Sequence, residues 1–213
     1  TMNPLLASDE LESFHYNGFV VVPNFYPVAE IESIQRAIYA LVGLVIQEES
    51  LSITQQNFSP ETFDSGFREL IAHDRPLGSR VYDAVKQIPA FVRLVACEKH
   101  EAVMRQMRDT DQPAIAAGGY GIRIDNPGEE KFRAGWHQDY PAQIRSLDGL
   151  IFWSPLLEMT PELGPVEFCV GSHKDGLAPV SEKDAVNPEK TGAYGLTLSD
   201  ESGRVGRYEK AAP

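Results

Sequence analysis

The stretch LIFWSPLLEMTPELGPVEFCVGSHK, residues 150–174, carries the clearest structural signal in the sequence. Two apolar runs, LIFWSPL and VEFCV, flank a segment that contains Pro and Gly. Short apolar runs bounded by turn residues are typical of buried β-strands. The sequence therefore predicts strands at residues 147–156 and 166–170, joined through a turn at ELGP, residues 162–165.

The β pattern continues on both sides of this stretch. From about residue 110 the chain is rich in Gly, Pro and β-forming residues, and residues 114–124 are predicted to form a further strand before the NPG turn at 126–128. After Gly171 the chain is polar, apart from the strand-like AYGLTL at residues 193–198. A sheet-forming part is therefore expected over about residues 110–213.

Helical patterns dominate the first half of the chain. Acidic residues follow a polar start at 8–10, and Gly18 is placed to end a first helix. Apolar residues recur every three or four positions from 28 to about 46, which predicts a long amphipathic helix. Four more apolar groups predict helices over residues 67–108, while FVVVPNF at 19–25 is predicted to form a buried strand.

Helices first and strands later indicate the α+β class with a mainly β core. We expect one domain over residues 1–213, with a helical part at about 8–109 and a sheet part at about 110–213. Hydrophobic residues make up 42% of the chain and charged residues 23%, which is ordinary for a soluble globular protein.

The charge and cysteine content exclude some classes of protein. The formal net charge is -12, which argues against a protein that binds nucleic-acid phosphates through a basic face. No signal peptide and no transmembrane segment are evident in the sequence. The two cysteines, Cys97 and Cys169, have neither zinc-site nor disulfide-framework spacing, so a cytoplasmic protein with reduced thiols is expected.

The segment WHQD, residues 136–139, holds a candidate metal-binding pair. If the backbone is extended there, His137 and Asp139 point to the same side and Gln138 to the other. An imidazole and a carboxylate suit Fe(II), which two histidines and one carboxylate bind with positions left open for substrate and O₂. The triplet alone leaves another interpretation open, a solvated His–Asp pair on the surface.

Three segments together resemble a known family. WHQD at 136–139, ELG at 162–164 and GSHK at 171–174 resemble, in this order, motifs of the phytanoyl-CoA dioxygenase family of non-haem Fe(II)- and 2-oxoglutarate-dependent oxygenases. The resemblance covers about residues 9–175. It implies a double-stranded β-helix, also called a jelly-roll or cupin-like barrel, buttressed by the N-terminal helices.

The resemblance also implies roles for individual residues. His137 and Asp139 match the first two iron ligands, and Trp153 and Tyr120 match positions that contact 2-oxoglutarate in some members. For Trp153, a core aromatic residue is the alternative. Since halogenating members have Ala or Gly in place of the carboxylate, Asp139 favours hydroxylation.

The third iron ligand is missing from the sequence. In the family a distal histidine follows much later, with an arginine after it, whereas the histidine of the GSH segment belongs to a structural turn. No histidine follows His173 here. We therefore expect that the chain is C-terminally incomplete and that the third ligand lies beyond Pro213; a degraded site is the alternative.

The expected function is hydroxylation of a small molecule, with Fe(II) as cofactor and 2-oxoglutarate and O₂ as cosubstrates. Neither a nucleic acid nor a membrane is expected as a partner. Two other functions stay open: a non-catalytic barrel that binds a ligand through a degraded site, and a cupin-like metal isomerase or hydrolase. The family resemblance does not make phytanoyl-CoA the substrate.

Overall fold

The structure is a computed structural model that describes residues 5–129, 134–140, 146–181 and 197–213. Within these ranges the α-helices are α1 (Ser8–Asn17), α2 (Val28–Glu48), α3 (Phe67–His73), α4 (Arg75–Val85), α5 (Pro89–Val95), α6 (Glu98–Arg108) and α7 (Glu201–Val205). The described strands are β1 (Phe168–Cys169), β2 (Val180–Ser181), β3 (Thr197–Leu198) and β4 (Lys210–Ala211). Among the helices described, none has the length and apolar character needed to cross a membrane.

The predicted N-terminal helices are confirmed. Helix α1 begins after Ala7, whose N–H donates to the Glu10 carboxylate over 2.8 Å, and it ends at Gly18. Gly18 has φ of +86°, the left-handed conformation that glycine adopts without steric cost at a helix C-terminus. The long helix expected from residue 28 is α2, and the four apolar groups at 67–108 correspond to α3, α4, α5 and α6.

The hydrophobic core lies between α2 and the helices that follow it. One face of α2 is buried against side chains of α3, α4 and α5, as the apolar spacing predicts. The fully buried members of this cluster are Ile34, Val42, Val45, Leu70, Val81 and Val85. Gln35 is the exception on this face, and its amide donates to the Leu156 carbonyl over 2.5 Å. A buried amide thus links the helical layer to the sheet-forming half of the chain.

Two short antiparallel ladders make up the described sheet structure. Strand β1 pairs with β4, with Phe168 opposite Ala211 and Cys169 opposite Lys210. Strand β2 pairs with β3, with Val180 opposite Leu198 and Ser181 opposite Thr197. Each ladder therefore joins residues near the GSHK segment to residues near the end of the chain.

The structure corrects the prediction of longer strands. Residues 19–25, 114–124 and 147–156 have no strand assignment, and 166–170 contributes only the two residues of β1. The described ranges contain no closed barrel. An extended segment becomes a strand only when a neighbouring strand accepts and donates its backbone hydrogen bonds, and composition does not specify that neighbour.

Parts of these segments still pack as half-buried strands do. Ile122 and Ile124 contact the helical core, while Arg123 between them is exposed. This alternation has the two-residue period of an extended chain. The side chains of this segment therefore alternate between core and solvent, although no ladder forms there.

A partly buried polar contact lies between the loop before α2 and the start of α6. The Tyr26 hydroxyl lies 2.5 Å from His100 Nε2, and the Val95 carbonyl lies 3.0 Å from His100 Nδ1. Because a carbonyl only accepts, Nδ1 carries the proton and Nε2 accepts from Tyr26. The His100 ring also packs on Phe152, 4.3 Å between centroids. Partial burial lowers the pKa of His100, and burial raises the pKa of Tyr26.

This contact predicts a loss of stability in acid. His100 stays neutral in the folded chain below its ordinary pKa of 6.5, whereas the unfolded chain takes up a proton there. The contribution of His100 to folding stability is therefore fully present above pH 6.5 and is lost as the pH falls through the lowered pKa of the folded state. Urea unfolding at about pH 7.5 and about pH 5.5 measures this loss. His100→Gln, which keeps a donor and an acceptor but does not titrate, should lose less; equal losses in both proteins would contradict the assignment.

Candidate metal site

His137 and Asp139 lie side by side on one short segment. His137 Nε2 is 3.7 Å from Asp139 Oδ1. The His137 side chain is 39% exposed and the Asp139 side chain is 33% exposed. The two residues are two positions apart, so an extended backbone brings both side chains to one side. The structure thus gives the pair the juxtaposition that the sequence predicts.

A backbone carbonyl determines which nitrogen of the His137 ring carries the proton. His137 Nδ1 lies 2.8 Å from the Gly135 carbonyl, which only accepts, so Nδ1 carries the proton in the neutral ring. Nε2 then presents its lone pair towards Asp139. The adjacent Asp139 carboxylate raises the pKa of His137, and partial burial opposes this effect. A histidine that donates through one nitrogen to a carbonyl is the usual form of a metal ligand.

The two donor atoms are close together but farther apart than two adjacent ligands of one metal ion. Adjacent ligands of an octahedral ion, each about 2.1 Å from it, are about 3.0 Å apart, and the distance from Nε2 to Oδ1 is 3.7 Å, so one side chain would have to move closer for both to bind one ion. Neutral imidazole and carboxylate oxygen are ligands that suit Fe(II). No group of three or more His, Cys, Asp or Glu side chains able to hold a metal occurs among the described residues. Among the described residues, the pair would therefore supply only part of a coordination shell.

A pocket of about 180 Å³ lies beside His137. Its walls come from five places: the C-terminal end of α1, residues 136–138, residues 167–169 around β1, residues 172–178 after the GSHK glycine, and the region around α7. His137 and Trp136 line it, as do Arg204 and Arg207. Glu167 and Asp175 line it as well, so the pocket combines imidazole and guanidinium groups with carboxylates.

The GSHK segment packs against the end of α1. Gly171, with φ of +74°, donates its N–H to the Asn17 carbonyl over 2.7 Å. His173 Nε2 lies 3.1 Å from the His15 carbonyl, and a Cβ at Gly18 would come within 2.5 Å of His173 Nδ1. Both ring nitrogens therefore face the backbone of α1 and its cap. This geometry suits the structural role that the family resemblance gives to His173.

Sequence reasoning missed the part of the pocket formed by the last residues of the chain. The Tyr208 hydroxyl donates to the Asp175 carboxylate, which raises the pKa of Tyr208. Arg204 Nε donates to the Ser199 carbonyl over 2.7 Å, and the Arg207 guanidinium lies over the Tyr208 ring. These residues belong to no motif in the sequence. Their position beside the pocket depends on the pairing of β1 with β4, which the sequence does not reveal.

Tyr120 and Trp153 lie elsewhere on the surface. Tyr120 is 41% exposed and its ring contacts Phe91 edge-on, 6.2 Å between centroids. Trp153 is 46% exposed, so it is not the core aromatic residue that was the alternative to a 2-oxoglutarate contact. Neither belongs to the described lining of the pocket beside His137. Their contact with 2-oxoglutarate stays a prediction.

Comparison with known proteins gives one family. Residues 14–193 match the family described as phytanoyl-CoA dioxygenase (PhyH), whose members are dioxygenases that generally depend on Fe(II) and 2-oxoglutarate and whose fold is a cupin-like jelly roll. Neither the curated proteins nor the solved structures give a match to this chain. Because the matched residues span most of the chain, from α1 past the WHQD, ELG and GSHK segments, the chain belongs to the phytanoyl-CoA dioxygenase family.

Proposed function

We propose that this chain is an Fe(II)- and 2-oxoglutarate-dependent hydroxylase of a small molecule. The observation that supports this most directly is the His137–Asp139 pair, whose donor atoms are 3.7 Å apart and lie inside the family match. The whole matched region, helical and sheet-forming parts together, would then work as one oxygenase domain. The substrate is not specified by family membership.

His137 Nε2 and Asp139 Oδ1 are the atoms that would hold the iron. We propose that a histidine is the third protein ligand and that Trp153 and Tyr120 contact 2-oxoglutarate. When bound, the iron and 2-oxoglutarate supply oxidative chemistry in which O₂ converts 2-oxoglutarate to succinate and CO₂ and a C–H bond of the substrate is hydroxylated.

The protein's own contribution is orientation and charge. The Gly135 carbonyl holds the proton of His137 on Nδ1, which leaves Nε2 as the ligand atom. Asp139 adds a negative charge that offsets part of the charge of a cation. A carboxylate at this position occupies the place that a halide takes in halogenating relatives, so we propose hydroxylation as the outcome.

Succinate production tests the proposal against its two rivals. We expect the full-length protein to convert 2-oxoglutarate to succinate only when Fe(II) and O₂ are both present, because the reaction needs all three. Mass spectrometry with ¹⁸O₂ would follow one labelled oxygen atom into succinate. A metal isomerase or hydrolase would act on its substrate without succinate, and a non-catalytic binding protein would give no turnover in any mixture; either result would overturn the proposal.

A further inference from the structure

We infer that Gln138 is a positioning residue that fixes the orientation of His137 and Asp139. This inference rests on the proposed function, since it concerns the metal pair. Gln138 stands between the two candidate ligands, so any rotation of its backbone moves both of them. Its side chain is fixed at two points to a distant part of the chain, and these contacts carry the argument.

The Gln138 amide forms two hydrogen bonds with the backbone after the GSHK segment. Its Nε2 donates to the Gly176 carbonyl over 3.0 Å, and its Oε1 accepts from the Ala178 N–H over 2.8 Å. Both backbone groups have a single role, the carbonyl as acceptor and the N–H as donor, so the orientation of the amide is determined. The side chain thus binds residues 176–178 much as a neighbouring strand would.

The segment that holds Gln138 is itself anchored. Gly176 N–H donates to the His173 carbonyl over 3.2 Å, and His173 in turn contacts the end of α1. Asp175 accepts from the Tyr208 hydroxyl. The two hydrogen bonds of Gln138 therefore connect the metal pair to α1 and to the end of the chain rather than to a free loop.

The position of Gln138 explains how it acts on its neighbours. Gln138 and His137 both line the pocket beside the end of α1, and Asp139 follows directly in the chain. The amide that binds Gly176 and Ala178 therefore fixes the backbone from which both candidate ligands extend. Groups that orient metal ligands without touching the metal typically change metal affinity about 10–100-fold when they are replaced.

Gln138→Met tests the inference, because Met keeps the length of the side chain but removes both hydrogen bonds. We expect the affinity for Fe(II), measured anaerobically by titration calorimetry on the full-length protein, to fall about 10–100-fold. Hydrogen exchange of the Ala178 amide should become faster in the metal-free protein, which reports the contact independently of any metal. Gln138→Asn keeps the amide on a side chain that is one carbon shorter. Its affinity for Fe(II) should lie between that of the wild type and that of Gln138→Met.

Gln106→Met is the matched control. The Gln106 amide also bridges backbone groups: it accepts from Leu6 N–H over 3.0 Å and donates to the Leu6 carbonyl over 2.7 Å. Gln106 lies on α6 and does not line the His137 pocket in the described part of the chain. We expect this variant to bind Fe(II) like the wild type.

The possible results separate the inference from the proposed function. The inference is supported if Gln138→Met alone has a lower affinity for Fe(II) and its Ala178 amide exchanges faster than in the wild type. Unchanged Fe(II) affinity despite faster Ala178 exchange overturns it and leaves the proposed function standing. An equal loss in Gln106→Met also overturns it, because the effect would then be general destabilisation. A wild type that binds no Fe(II) overturns both.

Discussion

His137→Ala is expected to lower Fe(II) affinity by more than about 100-fold, because loss of a ligand atom should exceed the effect of losing a group that only orients a ligand. The imidazole is one of two protein donors in the pair, and its Nε2 faces Asp139. Without it a single carboxylate would remain on this segment. Anaerobic titration calorimetry with the full-length protein measures the change, and 2-oxoglutarate turnover should disappear with it.

Two other histidines provide the controls for this variant. His73 is exposed at the end of α3, and His73→Ala should bind Fe(II) like the wild type. His173→Ala should retain most of the affinity, because both ring nitrogens of His173 face the backbone of α1 and its cap. Wild-type affinity in His137→Ala, or a larger loss in His173→Ala, would contradict the assignment of the ligands.

Leu70→Ala is expected to cost about 2–5 kcal/mol of the free energy of unfolding. Leu70 is 0% exposed and lies in the cluster that joins α2 to α3, α4 and α5. The substitution removes buried methyl groups and leaves a cavity that a packed helical layer fills only in part. The loss is large compared with the whole stability of a typical domain, about 5–15 kcal/mol.

Leu44→Ala is the matched control for the core variant. Leu44 lies on α2, whereas Leu70 lies on α3, and Leu44 is 48% exposed, so its replacement should change the free energy of unfolding by less than about 1 kcal/mol. Urea unfolding followed by far-ultraviolet circular dichroism compares the three proteins. Equal losses in the two variants would show that the α2–α3 cluster is not the stabilising core.

The helical half of the fold could be predicted from sequence because its signals are local. Gly18 ends α1 through its own backbone conformation, and the spacing of apolar residues in α2 defines which face is buried. The sheet half could not be predicted in the same way. A ladder such as Phe168 opposite Ala211 joins residues far apart in sequence, and composition does not encode that pairing.

The candidate site also has one part that local sequence predicts and another that depends on distant segments. The juxtaposition of His137 and Asp139 follows from a two-residue spacing on an extended chain, so the sequence indicated it directly. The Gln138 contacts with Gly176 and Ala178, and the Arg204 side of the pocket, depend on segments brought together by folding. The family resemblance implies a chemistry for the pair, whereas these contacts depend on how the chain folds.

The measurement that tests the central claim most directly is anaerobic visible spectroscopy of the full-length protein with Fe(II) and 2-oxoglutarate. We predict a weak metal-to-ligand charge-transfer band that requires both additions and that is lost in His137→Ala. Such a band would show that His137 helps to hold an iron that 2-oxoglutarate chelates. No band in the wild type, or an undiminished band in His137→Ala, would contradict the assignment of His137 and Asp139 as the iron-binding pair.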